Sequence, residues 1–347
     1  MAFRVLAAPD KFRGTLSAKE AASAVEAACE GADWSCDVAP VSDGGEGFLD
    51  VFGGSVQVAR VAGPLGDPVE VPWVLGRDPE SPSRSLAVVE SARAIGLQVV
   101  GGREANDPVR ASSTGAGQLI ACALKAGADQ VLVGLGGSAT TDGGLGAVEV
   151  LAEGGRLPRA EILVACDVET RFTDAAAVFG PQKGAVPAQV ELLTRRLERV
   201  AQLYQERFGI DVLSLPGAGA AGGLAGGLVA VGAKLLPGFD IVAEKLSLAE
   251  RVDSSDLVVS GEGCLDRQSF AGKAVGGVVR LAAAAGVPVL VVAGDVEEEA
   301  LEAAAAIGGE LTFVSLVSSY GLDRAMSDTA LCVRDAVAQY LASRSSV

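Results

Sequence analysis

Short unbroken apolar runs alternate along this chain with stretches in which apolar residues return every three or four positions. The runs at 4–8, 35–41, 56–61, 69–75, 85–91, 130–135, 161–166, 256–260, 288–293 and 311–317 predict strands. Several, such as 287–293, lack the polar alternation of a half-exposed strand. That pattern suits parallel strands buried on both faces. Helical periodicity predicts helices at 17–31, 115–127, 143–153, 187–208, 220–235, 273–286, 297–305 and 323–343. Ser17 and Glu20 have the spacing of a capping box at the start of the first helix. The predicted fold class is α/β, with helices packed on sheets.

Strand–loop–helix units cluster near the two ends of the chain, at 4–31, 34–53 and 256–343. The middle is richer in Pro, Gly and polar loops. This texture predicts one sheet domain built from residues 1–74 and 247–347, with a second α/β domain, 75–246, inserted in it. Residues 212–233 carry no charge, yet seven of them are Gly, so they read as a glycine-rich loop and a packed helix rather than a membrane span. Six cysteines without a C-x-x-C pair read as reduced thiols, and the first residues are too short in apolar content for a signal peptide. The expectation is a soluble cytoplasmic protein. Its oligomeric state is not legible.

Composition removes several chemistries. The 347 residues include no His, which excludes Ser-His-Asp and Cys-His nucleophiles and histidine-ligated zinc helices. A net charge of −16, from 28 Lys+Arg against 44 Asp+Glu, argues against nucleic acid as a partner. It leaves room for an anionic small molecule, since a local cationic cleft can sit in an acidic protein.

Five loops combine glycine with acids, hydroxyls or cations. Glycine lets backbone N–H groups approach a ligand, and loops at strand C-termini are where α/β proteins bind. The first holds Asp10, Lys11 and Arg13 before a helix. The second is Asp43-Gly44-Gly45-Glu46-Gly47. The third, 134–144, carries Gly136, Gly137, Ser138, Thr140 and Asp142 in a composition that suits a phosphate cradle. It is not a Walker A loop, because no Lys follows in register. The fourth, 217–222, is a literal G-x-G-x-x-G with Asp240 downstream, a weak dinucleotide signal in Ala/Gly-rich sequence. The fifth holds Gly261, Glu262, Gly263 and Asp266 and ends at Lys273, where a helix begins. Together these acids and cations match what phosphoryl transfer needs, and no imidazole is required.

The motifs APDKFRGTLSA (8–18), VSDGGEG (41–47), SSTGAGQLI (112–120), GLGGSATTDGG (134–144), CDV (166–168), AAVFGPQKGA (176–185), PGAGAAGG (216–223), LLPGFD (235–240) and SGEGCLDRQSFAGK (260–273) occur in one order along nearly the whole chain. In this the sequence resembles the bacterial glycerate kinases of the glycerate 2-kinase type. Many relatives have Ser where Lys11 stands, Lys where Arg13 stands and Arg at the Cys264 position. The resemblance implies ATP and Mg²⁺ as cosubstrates and D-glycerate as acceptor, with the 2-hydroxyl favoured. It also implies two α/β domains, the first Rossmann-like and discontinuous.

Within such a reaction the residues themselves suggest roles. Asp43, and after it Asp266, would orient the attacking hydroxyl, with Lys273 near the transferred phosphate. Asp10, Lys11, Arg13, Gly44, Gly45 and Glu46 would form the acceptor site, Lys11 or Arg13 pairing with its carboxylate. Gly136, Gly137, Ser138, Thr140, Gly261, Glu262 and Gly263 would hold the nucleotide phosphates, and Asp142 and Asp167 would reach a metal. Two other readings compete. One is an NAD(P)-linked oxidoreductase of a small hydroxy acid, resting on the G-x-G-x-x-G and Asp240. The other is a non-catalytic sugar-acid or nucleotide binding protein.

Overall fold

The computed structural model describes residues 3–153 and 159–344. The chain divides into two compact units. One comprises the residues up to Asp43 together with those from Phe239 onward; the other runs from Gly44 to Gly238.

The first unit is built on a parallel sheet of β1 (Arg4–Ala7), β2 (Ser35–Val38), β9 (Leu257–Leu265), β10 (Val289–Val296) and β11 (Leu311–Ser315), in the order β11-β10-β9-β1-β2. Val5 lies opposite both Cys36 and Leu257, so β1 is zipped on both sides. On one face Val25 and Cys29 of the helix Ala18–Glu30, with Val333 and Val337 of the helix Thr329–Arg344, pack on Val5, Val259, Leu290 and Val292. Leu6, Val258 and Val291 have the opposite parity and are equally buried. Both faces are covered, as the unbroken apolar runs require. The Ser17 capping box forms: the Glu20 N–H donates to Ser17 Oγ at 3.2 Å, and the Ser17 N–H donates to Glu20 Oε2 at 2.9 Å.

From β1 the chain goes to β2 on one side, then returns to β9 on the other. That reversal is a topological switch point, where α/β sheets place ligands outside the strand C-termini. Pairing also persists past the strand ends. The Asp10 N–H donates to the Gly261 carbonyl at 2.8 Å, and the Val41 N–H to that of Pro9 at 2.9 Å. The loops holding Asp10, Asp43 and Glu262 are thereby held side by side.

The second unit has a mixed sheet of β3 (Ser55–Ala62), β4 (Pro68–Arg77), β5 (Ser85–Glu90), β6 (Gln130–Gly134), β7 (Glu161–Ala165) and β8 (Lys234–Leu236), in sequence order. β3–β4 and β4–β5 are antiparallel, and β5 through β8 are parallel. Three expectations change here. The domain boundary expected at 74/75 falls inside β4, which pairs with β5, so the hairpin goes with the inserted unit. The return, expected at 246/247, falls between Gly238 and Phe239. The helix expected over 220–235 is instead a 3₁₀ turn Ala220–Gly223, a helix Leu224–Ala230 and the strand β8. Among the described residues no helix is long and apolar enough to cross a membrane.

Candidate active site

In the first unit, five of the expected site residues share one corner. Asp10 is 5 % exposed. Its Oδ1 accepts from the Lys11 N–H at 2.7 Å and lies 3.6 Å from Lys11 Nζ. The same ammonium is 4.0 Å from Asp43 Oδ1. Phe12 anchors the segment in the core and pairs back on Leu16 (N–H to carbonyl 2.8 Å), which leaves Arg13 exposed at the turn. Glu262 sits between two glycines for a steric reason. A Cβ on Gly261 would overlap the Val292 carbonyl, and one on Gly263 would come within 3.0 Å of the Arg13 nitrogen. Glycine is required at 261 for β10 to close on this carboxylate, and at 263 it lets the 10–13 loop approach without a tight contact.

Burial dominates the electrostatics. It raises the Asp10 carboxyl to about 6, against the lowering pull of Lys11 and with help from the Asp43 charge. It raises Glu262 to about 7, opposed by the Ser269 hydroxyl and Lys273, and aided by Asp10 and Asp266. Glu262 Oε1 is buried without a hydrogen-bond partner. Asp266 is placed differently from its expected catalytic role. Its Oδ1 accepts from the Ser269 N–H at 2.8 Å and Oγ at 3.2 Å, so it caps the turn Arg267–Phe270. Lys273 directly precedes the helix Ala274–Ala285.

In the second unit, the 134–144 loop leaves the C-terminus of β6 and is pinned on both sides. The Leu97 N–H donates to the Gly137 carbonyl at 2.7 Å, and the Ala139 N–H to that of Ile95 at 2.8 Å. Ser138 and Thr140, expected to face phosphates, are 5 % and 0 % exposed and turn inward. The reason is Lys183, which sequence reasoning missed. Its buried ammonium donates to Ser138 Oγ at 3.0 Å and to the Thr140 carbonyl at 2.6 Å. Burial lowers this lysine to about 7, while Asp142 pulls it upward. A single Lys in a Pro-Gln-Lys-Gly turn carries no sequence mark of burial. Gly136 and Gly137 remain at the surface of the loop.

The two expected metal ligands are both engaged. Asp142 Oδ2 accepts from the Ser113 N–H and hydroxyl, each at 2.8 Å, and from the Gly146 N–H at 3.3 Å. Its Oδ1 accepts from the Gly144 N–H at 3.0 Å. Four donors saturate it, so its role is to tie the loop to Ser113. Asp167 Oδ1 accepts from the Gly238 N–H at 2.8 Å, and the residue is exposed. No three acids or thiols among the described residues are grouped to hold a metal ion. Gly44 packs against Ala165 at the end of β7, Gly45 approaches Gly136, and Glu46 is exposed.

The dinucleotide reading fails on geometry. The G-x-G-x-x-G follows a loop rather than a strand, and Asp240 lies in the helix Gly238–Lys245. Its glycines serve packing: Gly222 has φ +70°, and a Cβ there would overlap the Thr140 carbonyl.

Carboxylates and cations on loops at the C-termini of parallel strands suit a small-molecule phosphotransferase of α/β architecture. The comparisons with known proteins agree. The chain matches the profile of the glycerate kinase family over residues 5–154 and 152–344, and it belongs to that family. It is 36 % identical to a glycerate kinase of Halalkalibacterium halodurans, over 93 % of each chain. It is 34 % identical to the glycerate 2-kinase of Escherichia coli K12, over 93 % of this chain and 90 % of that one. A crystal structure from Salmonella typhimurium LT2, provisionally named glycerate kinase 2, matches with a TM-score of 0.84 at 33 % identity over 99 % of both chains. The oxidoreductase and non-catalytic readings find no support among these relatives.

Proposed function

We propose that this protein transfers the γ-phosphoryl group of MgATP to the 2-hydroxyl of D-glycerate, giving 2-phosphoglycerate and ADP. The observation that carries the reading is membership of the glycerate kinase family over nearly the whole chain. The buried Asp10 beside Lys11 and the half-buried Glu262 beside Lys273 support it chemically. Phosphoryl transfer rests on positioning and on neutralising charge, which these groups supply. Lys11 and Arg13 are assigned to the glycerate carboxylate, and Asp43, beside Lys11, to its hydroxyls. Gly44, Gly45 and Glu46 follow Asp43 on the same loop and complete the acceptor site. Lys273 and the helix it opens are assigned to the transferred phosphate, since N–H groups at a helix start favour anions. Gly136 and Gly137 allow close approach of the nucleotide phosphates. Ser138 and Thr140 act in this reading by holding the loop.

Magnesium enters as part of the nucleotide and screens the phosphate charge. The saturated carboxylate of Asp142 does not fit a metal ligand, and exposed Asp167 is assigned to the MgATP ion. The reading implies the cytoplasm, where ATP and D-glycerate meet. One assay tests it. The enzyme is incubated with MgATP and D-glycerate, and enolase is then added without a mutase. Phosphoenolpyruvate is expected, because enolase dehydrates 2-phosphoglycerate alone. ADP release without phosphoenolpyruvate would move the product to the 3-phosphate. No glycerate-dependent ADP release would refute the reading.

A further inference from the structure

We propose that Glu262 is the proton acceptor of the reaction, with Asp10 as its positioning partner; this rests on the glycerate kinase reading. Three structural observations carry it. The carboxylate stands at the switch point of the parallel sheet, in register opposite Ala293 on β10 and beside the Asp10 loop. A flanking glycine that admits no side chain, Gly261, and a second, Gly263, where a Cβ would be tight against the Arg13 nitrogen, hold the backbone close on both sides. Its Oε1 is buried and makes no hydrogen bond, although nearby Asp266 has its Oδ1 engaged in capping and Asp43 faces Lys11. A purely structural carboxylate would have both oxygens satisfied.

The charged groups facing Glu262 are Asp10 from the β1 loop and Asp266 and Lys273 from beyond β9. Asp10 is itself bracketed by Lys11 and Asp43. On the β10 side, Asp295 and Glu297 stand by Cys264 rather than by Glu262. Burial therefore dominates, and the group titrates near neutrality, where a general base works best. As the glycerate O2 bonds to the γ-phosphorus, its O–H bond breaks and the proton passes to the Glu262 carboxylate. The bond from the γ-phosphorus to the bridging oxygen breaks, and its electron pair leaves with ADP. Glu262 then returns the proton to solvent.

The test is Glu262→Gln in the full-length enzyme. Turnover is expected to fall roughly 10²-fold or more, with both KM values nearly unchanged. The fall of kcat on the acid side of neutrality, set in the wild type by protonation of Glu262, is expected to vanish. A second readout is independent of turnover. A raised carboxyl pKa means that the folded state disfavours the charged form, so stability is lost as pH rises through this range. Glu262→Gln should therefore raise Tm by roughly 2–4 °C at pH 8 and not at pH 5. Wild-type kcat with the acid limb intact, or a raised KM with kcat preserved, would overturn the proposal. A wild type inactive on glycerate would overturn it together with the function it rests on, so the two failures are distinguishable.

Discussion

Lys273→Met is expected to lower kcat roughly 10²- to 10³-fold, the range found when one preorganised charge-stabilising donor is removed from an active site. Lys273 immediately precedes the helix Ala274–Ala285, so its ammonium and the first N–H groups of that helix share one end. It faces the half-buried Glu262, which ties it to the carboxylate corner. A methionine keeps most of the unbranched apolar stem and removes the charge and its N–H donors. The helix retains its backbone hydrogen bonds, including that from the Gly277 N–H to the Lys273 carbonyl at 2.9 Å. Stability should therefore change little. Steady-state ADP release with saturating MgATP and D-glycerate, beside a thermal melt, checks both halves. Unchanged turnover would remove Lys273 from the phosphate site.

Lys183→Met should instead cost stability, about 2–4 kcal/mol, because two buried acceptors lose their donor. Ser138 Oγ and the Thr140 carbonyl both receive a hydrogen bond from this ammonium, deep inside the second unit. Asn106 braces the same place, its Nδ2 donating to the Ala139 carbonyl at 3.1 Å and to the Lys183 carbonyl at 2.8 Å. Burial holds the Lys183 pKa at about 7, against 10.5 for a free lysine. Between those values the unfolded chain binds a proton that the folded one does not. The contribution of Lys183 to stability thus rises with pH from about 7 upward and reaches its full extent above the unfolded value. Urea unfolding at pH 6, 7.5 and 9 should show that rising component in the wild type and not in Lys183→Met. Equal slopes in the two proteins would refute the assignment.

These two lysines differ in how far they could be read from sequence. Lys273 stands between a glycine-rich loop and a clear helical repeat, and the start of a helix is a local property of the chain. Lys183 stands in a turn that looks solvated; its burial depends on the 138–141 loop, more than forty residues earlier, folding over it. The same contrast runs through the carboxylates. Asp10, Asp43, Glu262 and Asp266 were all recognisable as acids in glycine loops. Which of them caps a turn, which faces a lysine and which is left with an unbonded oxygen depended on their neighbours across the sheet.

Taken alone, the sequence determined the α/β class, the parallel strands at the two ends of the chain, the Ser17 cap and the family motifs. Each follows from local periodicity, a short-range hydrogen bond or residue identity. The strand order, the assignment of the β3–β4 hairpin to the inserted unit and the three-residue strand β8 were decided by pairing between distant segments. So were the inward turn of Ser138 and Thr140 and the saturation of Asp142. A hydrogen bond between residues tens of positions apart leaves no period in the chain. It forms only when folding removes both groups from water and each must find a partner.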